Sequence, residues 1–399
     1  MPSFPEKLEC PELQLLVRDN AGSYQQMPDS FFEETRNLKV LDIGGMDCTP
    51  KPPTSLGFLK NLTVLYLFNC KCEDIAMVGE LINLQILGFY RSILRELPRE
   101  IGNLHQLSLL ALDNCKNLEV IPCNVISNLT SLEELRVGSF VNWEVEVEGK
   151  TNVSLNEVGE LKPHLTYIDL YVPDVKPLGA LVLSGGAEFS ELRFLTIQSL
   201  PALISFISSE AKQIDEGGNP STFPVPLLNE KVSFPKLGTL IISEIVSSTT
   251  MWNQKVIANS FCKLRRVEIR YCEKLVTIFP AIIVRNLHDL KTLIVSNCNS
   301  LEVIFELQEL NDKLSSIGKR IQLESLSLVQ LPKLKQIWNN PYLQGTFNFK
   351  NLEQVYVEDC PMLSYVFPSS LANDLRQGKD LITIQNSPTT DPFEQKGGN

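Results

Sequence analysis

Histidine is scarce in this sequence. There are three in 399 residues, His105, His164 and His288, and they stand far apart. That leaves little material for general acid–base work or for a zinc site built on imidazole. Neither Gly-x-Ser-x-Gly nor His-Glu-x-x-His occurs, so two common hydrolase signatures are missing. Positive charge is short as well: 36 Lys and Arg stand against 47 Asp and Glu, a net charge of −11. A nucleic-acid binder carries a basic face, so nucleic acid is not the expected partner. No apolar run approaches the roughly 20 residues of a membrane span. The opening Met1-Pro2-Ser3-Phe4-Pro5-Glu6 has neither the basic segment nor the apolar core of a signal peptide. The expectations are a cytoplasmic protein with no catalytic residues, metal, cofactor or membrane span.

What the chain has in quantity is leucine at fixed spacing. Twelve segments share the form Leu-x-x-apolar-x-apolar, beginning at Leu38, Leu62, Leu84, Leu107, Leu132, Leu165, Leu192, Leu237, Leu264, Leu290, Leu323 and Leu352. A degenerate copy precedes them at Leu13–Val17, and another follows near Leu381–Ile384. The apolar-x-apolar core has the period of a strand, so each segment buries positions four and six and exposes three, five and seven. One strand cannot bury that face alone; stacked neighbours can. The fold expected is therefore an α/β leucine-rich-repeat solenoid, a horseshoe with a parallel concave sheet and irregular convex returns. It should occupy residues 1–384 with about 12–14 repeats. Pro and Asn are frequent in the returns, which predicts short irregular turns rather than long helices.

Position nine is Cys in five repeats: Cys70, Cys115, Cys272, Cys298 and Cys360. A small weakly polar side chain suits a tight turn leaving the strand, so buried thiols are expected. Cys272 and Cys298 fall on neighbouring rungs, close enough for a disulfide to be the lesser alternative. Asn61, Asn128 and Asn152 head glycosylation sequons. Asn61 and Asn128 each precede a core Leu, which reads as a structural role. The longest interval runs from Leu192 to Leu237, and its segment 208–232 holds Ser208-Ser209-Glu210 and Asp215-Glu216-Gly217-Gly218-Asn219-Pro220, a composition that buries little surface, as in a mobile excursion. The tail 385–399 has the composition of a disordered end.

The texts "LPREIGNL" at 97–104, "FPKLGTLIISEI" at 234–245, "LPKLKQIW" at 331–338 and "FKNLEQVYVEDCPMLSYVFPSSL" at 349–371 resemble the repeats of plant intracellular disease resistance proteins of the coiled-coil, nucleotide-binding, leucine-rich-repeat class. The resemblance implies a recognition and autoinhibitory module of an immune receptor. Its partners would be a pathogen effector or a guarded host protein, and a nucleotide-binding domain in cis or trans. That domain's Gly-x-x-x-x-Gly-Lys-[Ser/Thr] loop is missing here. Gly149-Lys150-Thr151 comes nearest, but Glu144 stands where the first Gly belongs. The alternative is a stand-alone adaptor or inhibitor scaffold, such as one recruiting substrates to a ubiquitin ligase. An extracellular ectodomain would want a signal peptide and capping cysteines.

The candidate binding residues are those the sheet exposes. Early rungs present Val64, Tyr66, Phe68, Ile86, Gly88, Tyr90, Leu109, Ala111 and Asp113, a contiguous apolar and aromatic patch of the kind that marks an interface. In the resembled family the early repeats pack on the nucleotide-binding domain. Later rungs mix charge and aromatics: Tyr167, Asp169 and Tyr171, then Arg266, Glu268 and Arg270, then Tyr356 and Glu358.

Overall fold

The computed structural model describes residues 4–19, 24–143, 146–147, 149–161, 163–171, 187–198, 232–245, 249–252, 260–307, 320–339, 347–367, 382–388 and 392. The chain divides into two compact units, Met1–Pro173 and Asp174–Asn399. In the first, seven parallel strands form one sheet: β1 (Leu15–Arg18), β2 (Val40–Gly44), β3 (Val64–Phe68), β4 (Ile86–Tyr90), β5 (Leu109–Asp113), β6 (Glu134–Val137) and β7 (Tyr167–Tyr171). In the second, seven more do the same: β8 (Phe194–Gln198), β9 (Thr239–Ser243), β10 (Arg266–Arg270), β11 (Thr292–Ser296), β12 (Ser325–Val329), β13 (Gln354–Glu358) and β14 (Ile382–Gln385).

In each of the twelve segments the strand opens two residues after the leading Leu, so the repeat frame and the strand register coincide. Leu41 lies opposite Leu65, Leu65 opposite Leu87 and Leu87 opposite Leu110. In the second unit Leu240, Val267, Leu293, Leu326 and Val355 form the same row. Positions one, four and six are buried in all twelve segments. Each such side chain contributes roughly 1.5–3 kcal/mol of burial, which is why the stack holds without long helices.

The returns are short, as Pro and Asn dictate. In the first unit they include single 3-10 turns at Thr54–Phe58, Ala76–Glu80 and Arg99–Asn103 and a six-residue helix at Leu155–Glu160. Further parallel ribbons run along the returns and were not foreseen. One joins Gln25–Gln26, Met46–Cys48, Lys71–Cys72 and Ile93–Leu94; a second joins Thr277–Phe279, Val303–Phe305 and Gln336–Trp338. The second is made by Ile278-Phe279 and Ile304-Phe305, which follow Cys272 and Cys298, and by Ile337-Trp338, which follows Leu331-Pro332.

Position eight turns the chain out of the sheet, and it takes a left-handed conformation at Gly45, Asn69, Arg91, Asn114, Glu244, Tyr271, Asn297, Gln330 and Asp359. Asn and Gly adopt this region readily, whereas Arg91 and Tyr271 hold it against steric cost. Position nine then drops inward. The thiols of Cys70, Cys272, Cys298 and Cys360 donate to the carbonyl two residues back, at 3.3–3.4 Å. In the Leu84 repeat Ser92 does the same work, its hydroxyl donating to Leu67 O at 2.8 Å and accepting from Cys70 N at 3.0 Å. All ten cysteines are free thiols. Burial pushes Cys70 and Cys115 up to about 12 and Cys360 to about 11, so they stay protonated at neutral pH. The Cys272 thiol is raised by its hydrogen bond to Cys298 and then by burial.

Asn61 donates to Arg36 O at 3.2 Å, and Asn37 and Asn83 repeat the bond to Pro11 O and Lys60 O. At Asn128 the backbone carbonyl lies 3.2 Å from His105 Nδ1. Residues 208–231 of the expected excursion lie outside the described residues. Val232 belongs to a strand, Val232–Ser233, that pairs with Ala187–Glu188. The tail 385–399 is bonded where described, because the last rung leaves donors that need partners. Gln385 ends β14, Ser387 Oγ accepts from Cys360 N at 3.1 Å, and Pro392 O accepts from Phe367 N at 2.8 Å.

Candidate protein-binding faces

The open face of the first unit starts as an aromatic floor with one hollow. Phe68 on β3 and Tyr90 on β4 are register partners and stack at 5.4 Å with an interplanar angle of 11°. Tyr66 lies down across Gly88. A Cβ at Gly88 would stand 2.2 Å from two carbons of the Tyr66 ring, so only glycine lets the ring rest there. Gly88 and Ala111 are thus buried rather than exposed, the former beneath its neighbour's ring. Tyr66 and Phe68 are half-buried, and Tyr90 is 36% exposed.

Beside this floor lies a hollow of about 380 Å³, bounded by Val17, Asp19, Asp42, Tyr66, Phe68 and Tyr90. Gly44, the register partner of Phe68, also lines it and contributes no side chain. Asp42 was missed from sequence. It occupies position five of the Leu38 segment, the same slot that holds Tyr66 one rung later, and Val17 faces it from β1. Burial, and then the charge of Asp19, hold the Asp42 carboxyl above its usual range.

That shift has a stability consequence. With a raised folded value the native state binds the proton more tightly than the unfolded chain. The stability this gives is complete below the unfolded value of about 3.9 and is lost as pH rises through the folded one. At neutral pH the charge at Asp42 therefore works against folding. Asp42→Asn is expected to raise the melting temperature at pH 7, and the gain should shrink towards zero as the pH is lowered below the ordinary carboxylate range. A pH series of thermal melts checks this, and an offset that does not change with pH would refute it.

Further along the same unit, Arg136 on β6 donates to Glu134 at 2.9 Å and lies 4.7 Å over the Tyr167 ring. Its Nε is buried without a hydrogen-bond partner. Asp169, the register partner of Arg136, leans over Gly138, where a Cβ would meet both carboxylate oxygens at 2.9 Å. Tyr167 and Asp169 are thus gathered with Arg136 and Glu134, which the sequence reading had left out. Tyr171 is half-buried, and its backbone carbonyl accepts from Trp143 Nε1 at 2.9 Å.

In the second unit Arg266, Glu268 and Arg270 form a single charged rung on β10. Glu268 Oε2 accepts from Arg266 at 2.8 Å and Oε1 from Arg270 at 2.6 Å. The carboxylate is covered by its own neighbours: Glu268 is 6% exposed, while both arginine side chains remain more than 40% exposed. Glu268 is therefore not a contact residue, as the alternation implied, but the holder of two arginines. Around them the face is low. Thr239 and Thr292 flank Arg266, Ser243 and Ser296 flank Arg270, and Ile241 and Ile294 flank Glu268. Tyr356 and Glu358 pair on β13, the phenol donating to the carboxylate at 2.8 Å. Three strand spacings, on the order of 14 Å, separate this pair from the arginine rung.

Gly149-Lys150-Thr151 is the turn and second strand of a small hairpin with Glu146–Val147, and Gly149 has a φ of 78°. This is not a strand-to-helix loop that could cradle phosphate. Among the described residues no group of three or more His, Cys, Asp and Glu could hold a metal ion, and no helix is long and apolar enough to cross a membrane.

Comparison with known proteins points one way. The family described as "Plant disease resistance protein RPS2-like, leucine-rich repeats" matches residues 236–387, and "Leucine-rich repeat region" matches residues 22–163. Two similar relatives from Arabidopsis thaliana are disease resistance protein At4g27190, 23% identical over 90% of this chain, and probable disease resistance protein At4g27220, 28% identical over 90%. The chain spans 37% and 38% of their lengths. Among solved structures, the functional domain of InlJ from Listeria monocytogenes superposes with a TM-score of 0.44 at 14% identity, covering 89% of this chain and 65% of that one.

Proposed function

We propose that this chain, whose residues 236–387 match the leucine-rich repeats of plant disease resistance proteins, recognises a protein in plant defence through the open face of its sheet. The observation that carries the reading is the Arg266–Glu268–Arg270 rung. Burying a carboxylate is costly unless it is paired, and a hydrophobic residue at position five would stabilise the sheet as well or better. Glu268 instead fixes two guanidinium groups in advance, each with donors left over, amid small Ser and Thr side chains. Arginine ordered before contact loses less freedom on binding, and it is a favoured interface anchor. Tyr356, with its phenol oriented by Glu358, extends the same face. The partner would be a pathogen effector or a guarded host protein, met in the cytoplasm. The aromatic floor of Tyr66, Phe68 and Tyr90 would serve a second contact, restraining a nucleotide-binding domain in cis or trans.

The test starts from a partner captured on the chain from infected leaf tissue, identified and purified. It is then titrated by calorimetry against wild type and against Arg266→Ala, Arg270→Ala and Tyr356→Ala combined. Glu268 is left in place so that the fold is not disturbed. The affinity is expected to fall by at least about tenfold with unchanged circular dichroism, since buried anchors each carry upwards of about 1 kcal/mol. An unchanged affinity removes the assignment of this face.

A further inference from the structure

The hollow on the first rungs has a chemistry of its own. Its walls are aromatic, with Tyr66 laid flat on Gly88 and the Phe68–Tyr90 stack beside it. At its other side stand two carboxylates, Asp42 and Asp19, and among the described residues neither has an ion-pair partner. Arg18 also borders the hollow, but its guanidinium lies 3.7 Å over the Phe4 ring and donates to Gln25 at 3.0 Å. Arg91 covers the Tyr90 ring at 5.2 Å, and Arg136 lies 4.7 Å over the Tyr167 ring. The molecule thus sets guanidinium on aromatic faces repeatedly; in this recess, among the described residues, the Arg18 guanidinium is turned to Phe4 and neither carboxylate is ion-paired.

We propose that this recess is a socket for an arginine side chain projecting from the polypeptide that docks on the first rungs. The inference rests on the reading of those rungs as a docking face and specifies what they select. A planar guanidinium can lie against the Tyr66 and Phe68 rings, with Tyr90 backing Phe68, while its edge meets the Asp42 carboxylate, so one group satisfies both linings. A neutral apolar side chain would fill the space but strand the carboxylates away from water. The absence of a side chain at Gly44 provides the depth, and the flat-lying Tyr66 provides the floor.

The experiment uses the whole chain with 3-fluorotyrosine in place of its nine tyrosines. The Tyr66 and Tyr90 fluorine signals are assigned by Tyr→Phe variants. The probes are an acetylated, amidated Leu-Arg-Leu tripeptide and its citrulline analogue, which has the same shape without the charge. The arginine peptide should shift both signals saturably, the citrulline peptide should not, and Asp42→Asn should weaken the arginine peptide roughly tenfold. Equal shifts from the two peptides, unchanged binding to Asp42→Asn, or no saturable shift from the arginine peptide would each overturn the socket. The partner titration on the Arg266, Arg270 and Tyr356 variants reads the other unit, so that reading stands or falls separately.

Discussion

Trp338→Ala is expected to destabilise the second unit by about 3–5 kcal/mol, near the top of what a single core truncation does. Trp338 is 2% exposed and sits where the return ribbon meets the last turns. It stacks on Phe305 at 5.0 Å and 9°, and Phe305 stacks on Phe279 at 5.0 Å and 21°. Phe347 and Phe349 meet it edge-on at 4.7 and 5.7 Å, and Phe367 lies 6.4 Å away. Its indole also donates to Val366 O at 2.8 Å. Truncation would therefore open a cavity shared by four rings and orphan a carbonyl in one step. Trp338→Phe separates the two contributions: it keeps a ring in the column and loses the hydrogen bond, at about 1–3 kcal/mol. Urea unfolding followed by far-ultraviolet circular dichroism measures both. If alanine costs no more than phenylalanine does, the column is not a cooperative element and the rungs hold by their sheet alone.

How much of this was legible beforehand depends on the range of the interaction. The inward rows were, because Leu65 or Val267 is buried by period-two geometry and by an identical neighbour, and both facts repeat in the text. The left-handed turn at position eight was not. Its occupants, Gly45, Asn69, Arg91, Tyr271 and Gln330 among them, share a backbone conformation rather than a chemistry, and sequence patterns register chemistry. Of the positions read as exposed, Gly88, Ala111 and Glu268 are buried, and the roles of the others come from neighbours one rung away. Tyr66 lies flat because Gly88 is opposite, and Asp169 leans over because Gly138 has no side chain. Asp42 was not singled out, although its register with Val17 and Tyr66 follows from the same frame that found Leu41. Glu268 was read as an outward contact and is buried, although the text held the reason: Arg-x-Glu-x-Arg puts two arginines on the face of one carboxylate, and two guanidinium groups of that reach bury what lies between them.

The interval between Leu132 and Leu165 poses the opposite question, how a longer return is kept from disturbing the rungs it joins. Asn152 gives the answer, and replacing it with alanine is expected to cost about 2–4 kcal/mol. The residue is 1% exposed. Its Oδ1 accepts from Ile121 N at 2.9 Å and its Nδ2 donates to Glu119 O at 3.1 Å, so one amide fastens the insertion to the return of the preceding repeat. Val153 N to Ile121 O at 2.7 Å continues the seam. Alanine would leave a buried donor without its partner and weaken a buried acceptor. The same geometry decides the sequon Asn152-Val153-Ser154: a glycan on Nδ2 would displace the bond to Glu119 and cannot be built without unfolding the seam. The functional cost would appear on the open face, because the fastened insertion joins β6 to β7 and so sets Arg136 against Tyr167. Urea unfolding of Asn152→Ala, with the fluorine signal of Tyr167 as a local probe, tests both parts. A stability within about 0.5 kcal/mol of wild type, the range of ordinary surface changes, with an undisturbed Tyr167 signal, would show that the sheet positions these rungs without help from the return.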